Sequence, residues 1–196
     1  MSSDFSETIG AIFFSILILS LLVDIVLSGT WNRMYFTSGI PIFIMRIPVS
    51  SRHINIPLSS RFEKQFNSKW TSALVFREID LNTYGFREKF FDFRFIFHYS
   101  AVMHGMLFFD STNNQVVVKG FANWFELCFA FVWIGSIGMN SVINFPEFTL
   151  IALAFIIIFF LGFGLLYSIQ HHRFSNVAKF AAEEWTRRYV TNVGGA

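Results

Sequence analysis

Two apolar runs near the C-terminus, Trp124–Ile143 and 148–169, constrain the fold of this chain more than any other feature. Each run is about 20 residues long, the length that an α-helix needs to cross roughly 30 Å of hydrocarbon. Neither run contains Lys or Arg. Pro146 and Glu147 directly precede the second run. Pro146 suits the first turn of a helix, where no amide hydrogen is needed, and Glu147 suits the positive end of the helix dipole. The stretch 124–169 therefore predicts a transmembrane helical hairpin.

The N-terminal segment 9–28 is also almost wholly apolar and close to a membrane-spanning length. The residues before it include Asp4 and Glu7, whereas a secretory signal begins with basic residues and ends in a small-residue cleavage site. We therefore expect a retained transmembrane helix, which gives three spans. The composition agrees, because 54% of the residues are hydrophobic and only 14% are charged.

The cations are confined to two segments of the chain. Segment 29–123 holds eleven Lys and Arg residues and segment 170–196 holds four, whereas 1–28 and 124–169 hold none. Because loops rich in Lys and Arg stay on the cytoplasmic side, this distribution predicts a cytoplasmic central segment and C-terminus. The N-terminus and the turn at 144–147 are then outside, in a plasma or inner membrane. Three spans would also place successive segments on alternate sides of the membrane, in agreement with this distribution of charge.

The segment 29–123 has the pattern of a folded β-rich domain, either a small barrel or a sheet. Strand-like runs bounded by turn residues occupy 40–49, 72–81, 90–99, 101–109 and 115–119. Pro41, Pro48 and Pro57 indicate that the first strand is an edge strand or a broken one. The stretch 59–70 is weakly patterned and is compatible with a short helix or a loop.

The C-terminal tail, 170–196, is predicted to form an amphipathic helix. Apolar residues recur at helical spacing at Phe174, Val177, Ala178, Ala181, Trp185 and Tyr189. Such a helix suits either the inner headgroup layer or packing on the β-rich domain. The predicted fold is thus an α+β integral membrane protein: an N-terminal span (1–28), an inserted cytoplasmic β-rich domain (29–123), a transmembrane hairpin (124–169) and the amphipathic tail.

Asp24 is the residue that most suggests a site, because an ionisable group within a span is costly. We expect it to lie at the same depth as Glu126, near the start of the second predicted span, and as the residues 171–173, which follow the third. The predicted inner-boundary polar cluster comprises Asp24 and Glu126 as acids, Arg173 or Arg33 as counter-charge, and the histidines His171 and His172. The alternative is that Asp24 reaches interfacial water and that Glu126 is an ordinary acid at a helix start.

Small residues within the spans have a simpler expected role. Gly135 with Gly138 and Gly162 with Gly164 provide small faces for close helix approach, which we expect to serve packing within this bundle. The single cysteine, Cys128, excludes an internal disulfide and is expected to be an apolar packing residue.

Sequence motifs for chemistry are weak, and we predict neither a metal nor another cofactor. The chain has no phosphate-binding glycine loop, no zinc-protease motif and no nucleophile elbow. Strand histidines such as His53, His98 and His104 are more often hydrogen-bonded structure than metal ligands. The adjacent pair at 171–172 cannot bind one haem iron from one helix face, because neighbouring residues point about 100° apart.

The leading functional prediction is a non-enzymatic accessory or scaffold protein that presents its β-rich domain at the inner leaflet. Its expected partners are the lipid bilayer, another membrane protein or a second copy. The domain has eleven basic and six acidic residues, a surplus that favours anionic inner-leaflet lipid over nucleic acid. One alternative is a membrane-embedded enzyme or redox subunit that uses Asp24, Glu126 and the histidines. Another is a homo-oligomeric channel.

Overall fold

The computed structural model describes residues 2–49, 59–66, 73–89, 101–143 and 149–193, and the structural statements below concern these residues. The elements in chain order are α1 (Ser2–Gly29), α2 (Arg33–Thr37), β1 (Pro41–Pro48), α3 (Ser59–Gln65), β2 (Leu74–Asp80), β3 (Thr83–Glu88), β4 (Met103–Asp110), β5 (Gln115–Ala122), α4 (Trp124–Ile143) and α5 (Thr149–Val193). The fold is therefore α+β, as predicted.

The five described strands form one antiparallel sheet in the order β1-β5-β4-β3-β2. Strand β1 lies at an edge, as its two prolines predicted, since a proline cannot donate to a ladder. The turn between β4 and β5 is held by Asp110, which accepts hydrogen bonds from the backbone of Thr112 and Asn113 at 3.0 and 3.3 Å. Of the two predicted forms, the described strands adopt the open sheet.

Four of the predicted strand runs correspond to β1, β2, β4 and β5, and the run at 90–99 lies outside the described residues. The weakly patterned stretch at 59–70 contains α3. Strand β3 was not predicted. Its six residues alternate Tyr84 and Phe86 with Thr83, Gly85 and Arg87, but two apolar positions separated by a glycine are a weak strand signal.

The core lies between one face of the sheet and the C-terminal half of α5. Phe86, Leu107 and Val118 of the sheet are fully buried there. The ring of Phe174 on α5 packs 4.7 Å from that of Phe86. Gly120 makes this approach possible, because a Cβ atom there would lie 2.9 Å from the Phe174 ring. The predicted amphipathic helix therefore packs on the protein's own sheet.

Helix α5 is a single helix of 45 residues, about 67 Å long at the usual rise per residue. The predicted third span and the predicted tail are consecutive parts of it. Its N-terminal part exposes apolar side chains such as Ile158 and Leu161, whereas Val177 and Ala181 are buried against the sheet. The predicted boundary at residue 170 thus marks a change of surroundings within a continuous helix.

Two helices among the described residues are long and apolar enough to cross a membrane, at Thr8–Gly29 and Leu153–Thr186, judged by length and composition. Only 6% of the most apolar window of each is buried. The described apolar part of α4, Trp124–Gly138, is shorter than a span, so three spans are not shown. Helix α4 nevertheless packs beside α5, where the rings of Trp133 and Phe159 stack at 4.7 Å.

The glycines of these helices do not pack as expected. A Cβ atom added at Gly135, Gly138, Gly162 or Gly164 would meet no atom within 4 Å among the residues that surround them. The expectation that they serve packing within this bundle is therefore wrong.

Candidate functional site

Buried polar side chains concentrate where α1, α4 and α5 meet one end of the sheet. We term this set the polar junction. It comprises Asp24, Ser28, Tyr35, Arg87, Glu88, His104, Asn123, Gln170 and Arg173. Because a buried polar group is unfavourable unless it is hydrogen-bonded, the partners of these groups show what the junction does.

Asp24 on α1 binds the N-terminus of α4. Its carboxylate accepts hydrogen bonds from the backbone N–H groups of Trp124 and Phe125 at 3.3 and 2.6 Å. These N–H groups have no partner within their own helix, and the helix dipole there favours a negative charge. Asp24 is only 8% exposed. One helix therefore caps another, and the cap fixes their relative depth.

Asn123 occupies the usual cap position of α4, but its side chain serves a different contact. Its carbonyl oxygen Oδ1 lies 2.8 Å from Nδ1 of His104, and its amide nitrogen donates to the backbone of Ala101. The other ring nitrogen of His104, Nε2, lies 2.8 Å from the backbone oxygen of Tyr35. His104 is 2% exposed, and this burial lowers its pKa, although both hydrogen bonds act in the opposite direction.

Tyr35 is positioned by the short helix α2. Asn32 is the N-cap of this helix, and its side chain accepts a hydrogen bond from Met34 N at 2.9 Å. The Tyr35 ring stacks on His104 at 4.0 Å. Burial raises the pKa of Tyr35 well above its usual value, and the nearby charge of Asp24 raises it further. The Tyr35 hydroxyl donates a hydrogen bond to Oδ1 of Asn123 at 3.5 Å. Tyr35 therefore remains protonated and is held as a donor.

Arg87 on β3 binds the C-terminus of α1. Its Nε donates to the backbone oxygen of Ser28 at 3.1 Å, in the last turn of the helix, where carbonyl groups lack helical partners. Its guanidinium lies 4.9 Å from the ring centroid of Trp31, which has a left-handed φ of 56° and also stacks on Phe36. Burial lowers the pKa of Arg87, although an arginine remains protonated in proteins.

A third group of contacts binds α5 to the sheet. Arg173 forms an ion pair with Glu88, and their side chains are only 11% and 7% exposed. Gln170 donates to the same carboxylate at 3.2 Å and accepts from the backbone N–H of Met103 at 3.0 Å. A charged pair this buried is stable only with such additional hydrogen bonds.

The two predicted counter-charges pair with acids other than Asp24, although Arg173 lies in the same polar junction. Asp24 and Glu126 both act electrostatically on Tyr35. Arg173 pairs with Glu88, as described above, and Arg33 pairs with Asp80 at 2.7 Å on the surface. Asp24 is instead compensated by the N–H groups of α4.

The two predicted histidines of α5 lie outside the polar junction. His171 and His172 are both exposed. The ring of His171 packs edge-on against Phe43 at 5.0 Å.

The sequence did not predict a role for five members of the junction, Tyr35, Arg87, Glu88, Asn123 and Gln170. A signal existed for Asn123, because an asparagine just before an apolar helix is a typical cap residue. The others are polar residues in ordinary strand or helix positions, and their burial depends on contacts between distant parts of the chain.

A metal site has no support among the described residues, where no group of three or more His, Cys, Asp or Glu residues could hold an ion. His104, one of three strand histidines considered, is engaged by Tyr35 and Asn123. His53 and His98 lie outside the described residues.

Fold and junction together define an α+β protein with a five-stranded antiparallel sheet joined to two long apolar helices and a shorter one. No protein-family model, curated protein or solved structure matches this chain. What the protein does is therefore inferred from its own residues.

Proposed function

We propose that this chain is a non-enzymatic integral membrane scaffold or accessory protein that holds a cytoplasmic β-rich domain in a fixed orientation at the inner leaflet. The observation that carries the proposal is the polar junction. Arg87 binds the end of α1, Asp24 binds the start of α4, and the Glu88–Arg173 pair binds α5 to the sheet. A domain that only had to stay near a membrane would need no more than a flexible linker.

Membrane insertion is supported by the surface of the helices. The apolar windows of α1 and α5 are 6% buried, whereas the core helix of a soluble protein is mostly covered. Large side chains such as Phe14, Leu19 and Leu161 are each more than 60% exposed, at 64%, 63% and 69%. Exposed apolar surfaces of this extent mark contact with a membrane or another protein. The absence of Lys and Arg from 1–28 and 124–169 supports an N-terminus outside.

A positioning role is supported by the state of the polar groups. Asp24 binds backbone N–H groups, His104 is held between two elements, and Arg173 is engaged by a buried acid. A group that binds and converts a substrate would need a polar or nucleophilic atom that faces an open cavity.

Topology labelling tests the membrane arrangement. In a Cys128→Ser background, single cysteines at Phe145 and Ala196 would be exposed to a membrane-impermeant maleimide on intact cells. We expect reaction at position 145 in intact cells and at position 196 only after permeabilisation. Equal reaction at both positions, or extraction of the protein without detergent, would refute the arrangement.

Purification from the native membrane in mild detergent tests the scaffold role. We expect the wild type to retain a stable protein partner. A Gly-Ser insertion after Gly29 should separate α1 from the polar junction without preventing membrane insertion, and we expect this variant to lose the partner. Retention of the partner by that variant would refute a need for fixed orientation. A bound cofactor that absorbs visible light would instead favour the enzyme or redox subunit. A membrane conductance that is lost in Asp24→Ala would favour the homo-oligomeric channel.

A further inference from the structure

Strand β1 directs half of its backbone groups away from the sheet. It is the last strand on its side, and the hydrogen bond of 2.9 Å from Val49 N to Asn114 O shows that its odd-numbered positions bond to β5. Hydrogen-bonded positions alternate in an antiparallel pair, so the even-numbered residues point outward. Tyr167 on α5 agrees with this direction, because its hydroxyl donates to the outward backbone oxygen of Ile42 at 3.0 Å.

This edge is closed at both ends and open in the middle. At one end Tyr167 occupies the oxygen of Ile42, and at the other Pro48 has no N–H group. Between them, Ile44 is 51% exposed and Arg46 is also exposed, and no described residue pairs with their outward groups. Unpaired groups of a strand are a template for another strand. We term Ile44 and Arg46 the β1 edge site.

The β1 edge site is cationic on the sheet face that points away from α5. Strand register pairs Ile44 with Lys119 and Arg46 with Val117, so the two cations are diagonal neighbours on that face. Lys119 Nζ lies 5.5 Å from the centroid of the Phe108 ring. Neither cation forms an ion pair with an acid in the part of the chain that the structure describes. An acidic side chain from another molecule would complement both.

On the other face of the sheet, a groove separates the end of β1 from α5. Its volume is about 550 Å³, and it is lined by Ile47, Pro48, Lys179, Ala182, Glu183 and Thr186. A strand that paired with β1 would direct alternate side chains towards this groove and the others past Arg46. Because half of the lining residues are apolar, apolar side chains suit the positions that face the groove.

The direction of β1 argues against a second copy of this chain as the added strand. Near the start of β1, Tyr167 of α5 bonds Ile42. Near its end, Lys179 of α5 lines the groove beside Ile47. The two elements therefore run in the same direction, and two copies in one membrane would present parallel β1 strands. A two-fold axis would then place each Arg46 level with its counterpart, where like charges are unfavourable.

We propose that the β1 edge site binds an extended segment of a partner protein, which pairs with β1 and places an acidic side chain against Arg46 and Lys119. This inference rests on the proposed scaffold role, for which it names the binding surface. Backbone hydrogen bonds to Ile44 and Arg46 would supply affinity, and the cations and the groove would select the sequence. The pattern recognised is an acid opposite Arg46 and, two positions away, an apolar residue opposite Ile44.

The test measures the binding of fluorescein-labelled heptapeptides to the purified full chain in detergent by fluorescence anisotropy. The first peptide has a central glutamate among valines, with threonine at both ends. A second has lysine in place of glutamate, and a third has N-methyl groups on the glutamate and both its neighbours. We expect the glutamate peptide to bind about five-fold more tightly than the lysine peptide, because an attractive cross-strand pair replaces a repulsive one. The N-methylated peptide should bind at least about ten-fold more weakly, because it cannot donate to the strand.

Matched variants separate the β1 edge site from charge elsewhere on the sheet. Arg46→Glu should lose the preference for glutamate, whereas Arg46→Lys should keep it. Arg77→Glu is the control and should also keep it, because Arg77 is an exposed arginine of β2, the strand at the opposite edge. Near-UV circular dichroism should be unchanged in all three variants, since both arginines are exposed.

The proposal is overturned if the wild type does not bind the glutamate peptide or binds the N-methylated peptide equally well. It is also overturned if Arg46→Glu keeps the preference or if Arg77→Glu loses it to the same extent. A chain that binds the glutamate peptide as expected but retains no protein from its native membrane would refute the scaffold role alone, which separates that failure from failure of the β1 edge site.

Discussion

Replacing Asp24 by leucine tests whether its carboxylate stabilises the fold by capping α4 or destabilises it by facing lipid. The carboxylate accepts hydrogen bonds from Trp124 N and Phe125 N at 3.3 and 2.6 Å. Losing a cap costs about 1 kcal/mol, and losing a charge at a partly buried helix terminus costs about another 1 kcal/mol. We therefore expect Asp24→Leu to lower the free energy of unfolding by about 2 kcal/mol.

The sign of this change is diagnostic. If Asp24 faced lipid, leucine would be favoured over aspartate by roughly 3 kcal/mol at mid-span and by less near the interface. A lipid-facing Asp24 thus predicts that Asp24→Leu stabilises the protein, whereas the cap predicts that it destabilises. Asp24→Asn retains an acceptor oxygen and loses the charge, so we expect a loss of about 1 kcal/mol.

Equilibrium unfolding in mixed detergent micelles, followed by tryptophan fluorescence, gives these free energies. Hydrogen exchange at the amides of Trp124 and Phe125 should accelerate in Asp24→Leu. Ser20→Ala is the matched control on the same helix, because its hydroxyl bonds only the carbonyl of Leu17 at 2.9 Å. An Asp24→Leu protein at least as stable as the wild type, with unchanged exchange at both amides, would refute the capping argument.

Three further predictions concern the sheet and its contact with α5. Arg173→Met should lower the unfolding free energy by about 3 kcal/mol, because it leaves Glu88 buried without its charge partner. An unchanged unfolding free energy in a denaturant titration would contradict a stabilising role for this ion pair. Gly105→Ala should destabilise by about 2 kcal/mol, since its Cβ atom would lie 2.1 Å from Cζ of Phe86; an unchanged melting temperature would refute this. Burial lowers the pKa of His104 below its unfolded value of about 6.5, so its contribution to stability is complete above that pH and is lost as the pH falls below it. Melting scans from pH 7.5 to 5 should show that loss, and a rise in stability towards acid would mean that His104 is charged in the folded state.

Much of the fold could be read from the sequence because its signals are local. A run of apolar residues long enough to form α1 is visible without knowledge of its neighbours. The apolar runs of β4 and β5 and the turn residues that flank them are similarly visible. Strand β3 was missed because it is short and its two apolar residues, Tyr84 and Phe86, stand on either side of a glycine. Gly85 is needed there since a Cβ atom would lie 2.4 Å from the Ile79 side chain.

The partners within the candidate site could not be read from the sequence, for a different reason. Asp24 was recognised because an acid in an apolar helix is conspicuous, but its partners are backbone N–H groups, which every residue but proline carries. Arg173 was expected near Asp24 because depth alone was used to match charges. Its actual partner, Glu88, lies in the unpredicted strand, so the prediction lacked the element that supplies it.

The nature of the contacts at the junction bears on how the helices and the sheet move. Apolar side chains can slide past each other with little change in energy, whereas a hydrogen bond weakens steeply when its angle or distance changes. The contacts of Asp24, Arg87 and Arg173 are directional, and each binds a different helix. Arg87 and Arg173 join the sheet to α1 and α5, and Asp24 joins α1 to α4, so rotation of the sheet about α1 would stretch its bonds to α5, and rotation about α5 would stretch its bonds to α1. In the proposed membrane arrangement, a shift of a helix would therefore be transmitted to the sheet as a rigid movement, which is the mechanical property that a positioning scaffold requires.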